Sequence, residues 1–150
     1  MNSTAPGSAD ARPALSPGMA RMLQLSAAVA FTVLGAGLWW SWFAWDTAAG
    51  TDAAGSQTGP YAVWQVAGCV LSWIVLVWFG VRVLRPFLLT AALPVGFTAA
   101  WILTVALTDD SGLWAVGAVL VAGGTVAGNA ALVWVLRAFA RRNHAGSAAP

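Results

Sequence analysis

The chain contains no lysine, one cysteine and one histidine, and only 8% of its 150 residues are charged. Each shortage removes a class of function. With Cys69 alone there is no intramolecular disulfide and no CxxC pair, so thiol-relay chemistry is excluded. His144 stands in a polar C-terminal stretch without a second ligand near it in sequence, and haem or zinc needs more donors than that, so no cofactor or metal is expected. The formal charge of +2 is small and scattered. A nucleic-acid surface needs a clustered basic stripe, so no nucleic-acid partner is expected. Every basic residue is arginine, and alanine and glycine are abundant, a usage that fits coding in a GC-rich bacterial genome.

What is present is apolar. Hydrophobic residues make up 59% of the chain, and they lie in long unbroken runs rather than in the alternating or one-faced patterns of water-soluble cores. Four runs, over 23–45, 61–81, 87–107 and 112–136, each hold about the 20 residues that a helix needs to cross a hydrocarbon core about 30 Å thick. The expected fold is an all-α membrane protein, an antiparallel four-helix transmembrane bundle over 23–136. Residues 1–22 are rich in Ser, Ala, Gly and Pro and read as a disordered tail; 137–150 read as a basic and then disordered tail. A secretory signal is the competing reading of the first run, because Arg21 precedes it. Signal cores are about 7–15 residues long and end in small residues. This run is longer and closes on Trp39-Trp40-Ser41-Trp42-Phe43-Ala44-Trp45, which argues for a retained helix.

The connections carry their own signals. The 46–60 loop is polar and Gly-rich, Gly80 is placed to cap the second helix, and Pro86 suits the first position of the third, where its missing N–H costs nothing. Thr108-Asp109-Asp110-Ser111 can cap the fourth helix; two adjacent carboxylates without further ligands make a weak cation site. Arg12 and Arg21, then Arg82 and Arg85, then Arg137, Arg141 and Arg142 fall on one side of the alternating spans, and Asp46, Asp52, Asp109 and Asp110 on the other. Arginine-rich short loops stay in the cytoplasm, which predicts a multi-pass protein of the bacterial plasma (inner) membrane with both termini cytoplasmic. Of the ten tryptophans, Trp39, Trp40, Trp42, Trp45, Trp64 and Trp114 are expected as an aromatic belt at the outer interface, Trp78 and Trp134 at the inner one, and Trp73 and Trp101 deeper in the bundle.

No Asp, Glu, Lys, Arg or His lies inside any span. Proton-coupled transport, voltage sensing and ion pathways use a charge at membrane depth, and general acid–base or nucleophilic catalysis needs paired groups within reach of one another; neither requirement is met. No enzymatic role is expected. Each span does carry a small or weakly polar stripe: Ala28, Thr32 and Gly35; Gln65, Gly68 and Ser72; Thr90, Pro94 and Thr98; Thr125 and Asn129. Close packing with interhelical hydrogen bonds explains them. The alternative is that Gln65, Ser72 and Asn129 converge on a small polar pocket for a headgroup. Gly124 and Gly128 form a GxxxG, with Gly117 and Ala131 on the same face, which favours close helix contact, within the bundle ahead of between protomers. Pro94 should release the Thr90 carbonyl and bend the third helix. Arg82, Arg85, Arg137, Arg141 and Arg142 are placed to meet anionic lipid headgroups.

In topology and composition the whole chain resembles the small four-span inner-membrane proteins of GC-rich bacteria, a resemblance that implies no activity. The expected role is a non-enzymatic accessory or scaffolding subunit of a membrane assembly, whose partners are the lipid bilayer and other membrane-protein subunits, or a second copy through the fourth helix. A carrier or binder of small apolar or lipidic molecules is the alternative.

Overall fold

The computed structural model describes residues 16–45, 50–51, 57–58, 61–107 and 112–146, the last four of these and both short pieces by backbone only. The expected disorder over 1–15 and 147–150, most of the 46–60 loop and the capping turn at 108–111 lie outside the described residues. Among the described residues there are four helices: α1 (Pro17–Trp42), α2 (Val63–Val83), α3 (Pro86–Ala106) and α4 (Trp114–Gly146). All four are long and apolar enough to cross a membrane. Between α1 and α2, Gly50 and Thr51 pair with Thr58 and Gln57 in a two-residue ladder.

Both outer boundaries differ from the sequence expectation. The first helix begins at Pro17 and not at Leu23, because Ser16 accepts a hydrogen bond from the Met19 N–H at 3.3 Å and Pro17 occupies the first turn. Residues 17–22, expected as tail, are therefore helical. At the other end α4 continues past Leu136 to Gly146. Ala138, Phe139, Ala140 and the arginines are compatible with a helix, and no Gly or Pro interrupts them before Gly146. Its 33 residues rise about 50 Å, well beyond a core of about 30 Å. The α2–α3 turn is as expected: Arg85 is extended (φ −61°, ψ 146°), the conformation favoured before proline, and Pro86 opens α3.

The helices are not equal. α3 is the enclosed one, with 44% of its most apolar stretch buried against 11% for α4. Its buried face repeats every four residues as Ala92, Gly96 and Ala100. That is a different face from the Thr90/Pro94/Thr98 stripe marked in the sequence, although Pro94 and Thr98 are also buried. Gly96 meets α1 backbone to backbone: a Cβ there would collide with the Thr32 carbonyl, and a Cβ at Gly35 would collide with the Leu93 carbonyl. Small residues are what allow two helices to approach this closely where no water drives them together. Around this crossing lie Phe31, Val77, Leu89, Leu93 and Val133 on one side, and Leu38, Trp39, Cys69, Phe97 and Ala100 on the other.

Apolar side chains also cover the outside. Met22, Val63, Phe87 and Val119, one from each helix, are at least 70% exposed. Helices apolar all round belong in hydrocarbon.

Gly96→Val is expected to destabilise the fold by about 1–3 kcal/mol, the range for overpacked sites. Gly124→Ala, with open space around it, should stay within about 0.5 kcal/mol of the parent. Unfolding in detergent followed by helical circular dichroism measures both, and equal tolerance of the two changes would contradict the α1–α3 contact.

Candidate functional site

Most polar residues inside the bundle are consumed by the fold. Asn129 is 1% exposed and joins three helices. Its Nδ2 donates to the carbonyls of Leu89 (2.9 Å) and Thr90 (3.2 Å) on α3, and its Oδ1 accepts from the Trp73 indole N–H of α2 at 3.0 Å. The Thr90 carbonyl is the one that Pro94, lacking an N–H, leaves without its helical donor. Asn129 therefore supplies from α4 what proline removed from α3. The helix assignment runs unbroken through Pro94.

Gln65, fully buried, works at a helix end. Its Nε2 donates to the Trp42 carbonyl, the last of α1, at 3.2 Å, and its Oε1 accepts from the Ala62 N–H at the start of α2. Helix termini hold orphan carbonyls and amides, and one amide side chain serves both kinds here. Ser72 and Thr125 return their hydroxyls to their own helices, Ser72 to the Gly68 carbonyl at 2.8 Å and Thr125 to the Val121 carbonyl at 2.7 Å. Thr98 is buried, and its hydroxyl has no hydrogen-bond partner among the described residues. Gln65, Ser72 and Asn129 do not converge: each bonds to different elements, so the polar headgroup pocket suggested by their spacing is not formed.

The opposite end of the α1–α2 pair has a second glutamine that the sequence reading passed over. Gln24 donates its Nε2 to the Val83 carbonyl at 2.9 Å and accepts the Arg85 N–H on Oε1 at 3.0 Å, closing the α2–α3 turn. It is the second residue of the expected first span, where a lone amide at a span end carries no periodic signal. The usable signal was the Arg85–Pro86 break, which leaves a carbonyl and an amide that some side chain must take.

The glycines divide. Gly117 packs where a Cβ would lie 2.7 Å from the Trp101 ring, so it serves helix packing within the chain. Gly124 and Gly128 have nothing within 4 Å of a Cβ. The expected intramolecular contact through this GxxxG is therefore not made; the pair faces outward, because α4 turns Asn129 and Val133 toward its neighbours instead.

The tryptophan belt also divides. Trp40, Trp45, Trp64 and Trp114 are exposed. Trp39 is not part of the belt: it is 3% exposed, stacks edge-on against Phe97 and donates to the Thr104 hydroxyl at 3.0 Å. Trp42 is half-buried over Gly68, whose missing side chain makes room for its ring.

Two cavities lie between α2 and α4. The upper, about 450 Å³, is bounded by Cys69, Trp73 and Ile74 of α2, by Thr125, Gly128 and Leu132 of α4, and by Phe97. The lower, about 470 Å³, is bounded by Trp78, Val81 and Arg82 of α2 and by Leu136 and Arg137 of α4. Arg82 lies 3.4 Å above the Trp78 ring and donates to the Trp78 carbonyl at 2.9 Å. The Nε of Arg137 is buried without a hydrogen-bond partner among the described residues. Arg141 donates to the Arg137 carbonyl, while Arg85 and Arg142 are exposed.

Comparison with protein-family models, with curated proteins and with solved structures finds no match to this chain.

Asn129→Leu should cost about 2 kcal/mol, three interhelical bonds at about 0.6 kcal/mol each. In a Pro94→Ala background, where residue 94 regains its N–H for the Thr90 carbonyl, the same change should cost less. A double-mutant cycle on detergent unfolding reads the difference; strict additivity would remove the Asn129–Pro94 link.

Proposed function

We propose that the chain is an antiparallel four-helix protein of the bacterial inner membrane, with both termini cytoplasmic, and that it serves as a non-enzymatic accessory or scaffolding subunit of a membrane assembly. The orientation rests on the arginines at one set of helix ends, Arg21, Arg82, Arg85, Arg137, Arg141 and Arg142. The single observation that carries the role is α4. It is the least covered helix, and it presents Gly124 and Gly128 with open space above them. In hydrocarbon a small-residue face is where another helix backbone can come close, so a partner subunit or a second copy has a surface on which to pack. A second reading, a carrier or binder of apolar or lipidic molecules, is favoured by the cavities between α2 and α4.

Purification of the full chain in mild detergent should yield an assembly larger than one chain in its detergent belt, and Gly124→Leu with Gly128→Leu should reduce it to a monomer. A parent protein that always runs as a monomer counts against the role. Cysteine placed in 147–150 should resist a membrane-impermeant maleimide in intact cells; labelling from outside would reverse the orientation.

A further inference from the structure

We infer that the crevice between α2 and α4 is a site for one anionic phospholipid, with the phosphodiester held between Arg82 and Arg137 and one acyl chain laid along the crevice past Gly128. The inference deepens the lipid-binding reading and rests on it.

The two cavities follow one another along the seam between α2 and α4. Ile74 of the upper and Trp78 of the lower are one turn apart on α2, and Leu132 and Leu136 are one turn apart on α4. From Arg137 back to Thr125 α4 rises about 18 Å, and from Arg82 back to Val66 α2 rises about 24 Å. Half of a hydrocarbon core about 30 Å thick is about 15 Å, so the seam is deep enough to take the acyl chain of one leaflet.

Its chemistry is that of a lipid, charged at one mouth and apolar inside. Arg82 is pinned by the Trp78 ring and carbonyl, which leaves most of its five N–H donors unspent. Arg137 brings a buried Nε–H without an acceptor among the described residues, an arrangement that costs free energy until an acceptor arrives. A phosphate offers oxygens in the geometry that guanidinium groups match best. Farther in, the polar atoms are already used: Thr125 bonds to Val121, and Asn129 to α3 and Trp73. Nothing there calls for a polar group, and Gly128 leaves room for a chain.

Native mass spectrometry of the full chain in detergent, offered dioleoyl phosphatidylglycerol and dioleoyl phosphatidylcholine in equal amounts, tests the site. Preferential retention of phosphatidylglycerol is expected, weakened about 30-fold in Arg82→Gln with Arg137→Gln, given the usual strength of arginine–anionic lipid contacts. Gly128→Leu, which fills the crevice without touching charge, should also abolish retention; Val70→Phe fills it from α2 should that variant not fold. Arg141→Gln with Arg142→Gln should leave retention unchanged. Loss in this last pair equal to that in the first, or full retention in both filled variants, would mean simple adsorption to basic residues and overturn the inference. Equal retention of both lipids, lost on filling the crevice, keeps the apolar-binder reading and removes this one. Retention of neither removes both.

Discussion

Inside a bilayer no water is available to take up an unpaired carbonyl or amide, and this constraint decides most of what the polar residues of the chain do. The spans contain few such residues; their hydroxyls mostly return to carbonyls of their own helices, while the amide side chains of Asn129, Gln65 and Gln24 go to backbone groups that the helix itself cannot satisfy. Pro94 frees the Thr90 carbonyl and Asn129 takes it. The last carbonyl of α1 goes to Gln65, and the break between α2 and α3 goes to Gln24. Both glutamines sit against α1–α2 ends, one at each, so two amide side chains fix the register of that pair without any charge at depth.

Packing follows a second rule, also set by the solvent. Lipid is as apolar as the side chains, so apolar burial gives little drive for association and close backbone approach must supply it. The α1–α3 crossing at Gly35 and Gly96 does so, and there these two helices meet backbone to backbone. α2 is joined to that pair through Gln24, Gln65 and Gly68 under Trp42, α4 through Asn129 and through Gly117 over Trp101, and α2 meets α4 where Trp73 bonds to Asn129, with cavities along their shared seam.

Much of the architecture is legible in the sequence, because length and lack of charge are direct physical requirements for crossing a membrane. The four spans, the Pro86 start and the role of Pro94 all come from local chemistry. The helix ends do not, since Ser16 and the 137–146 extension depend on capping and on helix-compatible residues that a hydropathy run does not register. Side-chain destinations are harder still. Trp39 and Trp40 are adjacent and chemically identical, yet one lies in the core and the other outside; only the rotation of α1 against Gly96 separates them. Gly117 and Gly124, seven residues apart and so on one face of α4, differ for another reason: the Trp101 ring lies over the first and nothing over the second.

That rotation also explains why the α2–α4 side remains open. Asn129 must point at α3 to reach the Leu89 and Thr90 carbonyls, and this turns Gly124 and Gly128 away from the bundle. A residue recruited to repair one proline thereby fixes the face that α4 presents to its surroundings. In water such a crevice would collapse, because closing it would release water from apolar surface. In lipid there is no such gain, and an acyl chain fills the space as well as a side chain does. The openness is therefore compatible with stability, and two arginines stand at its mouth, Arg82 stacked on Trp78 and Arg137 with an Nε that has no hydrogen-bond partner among the described residues.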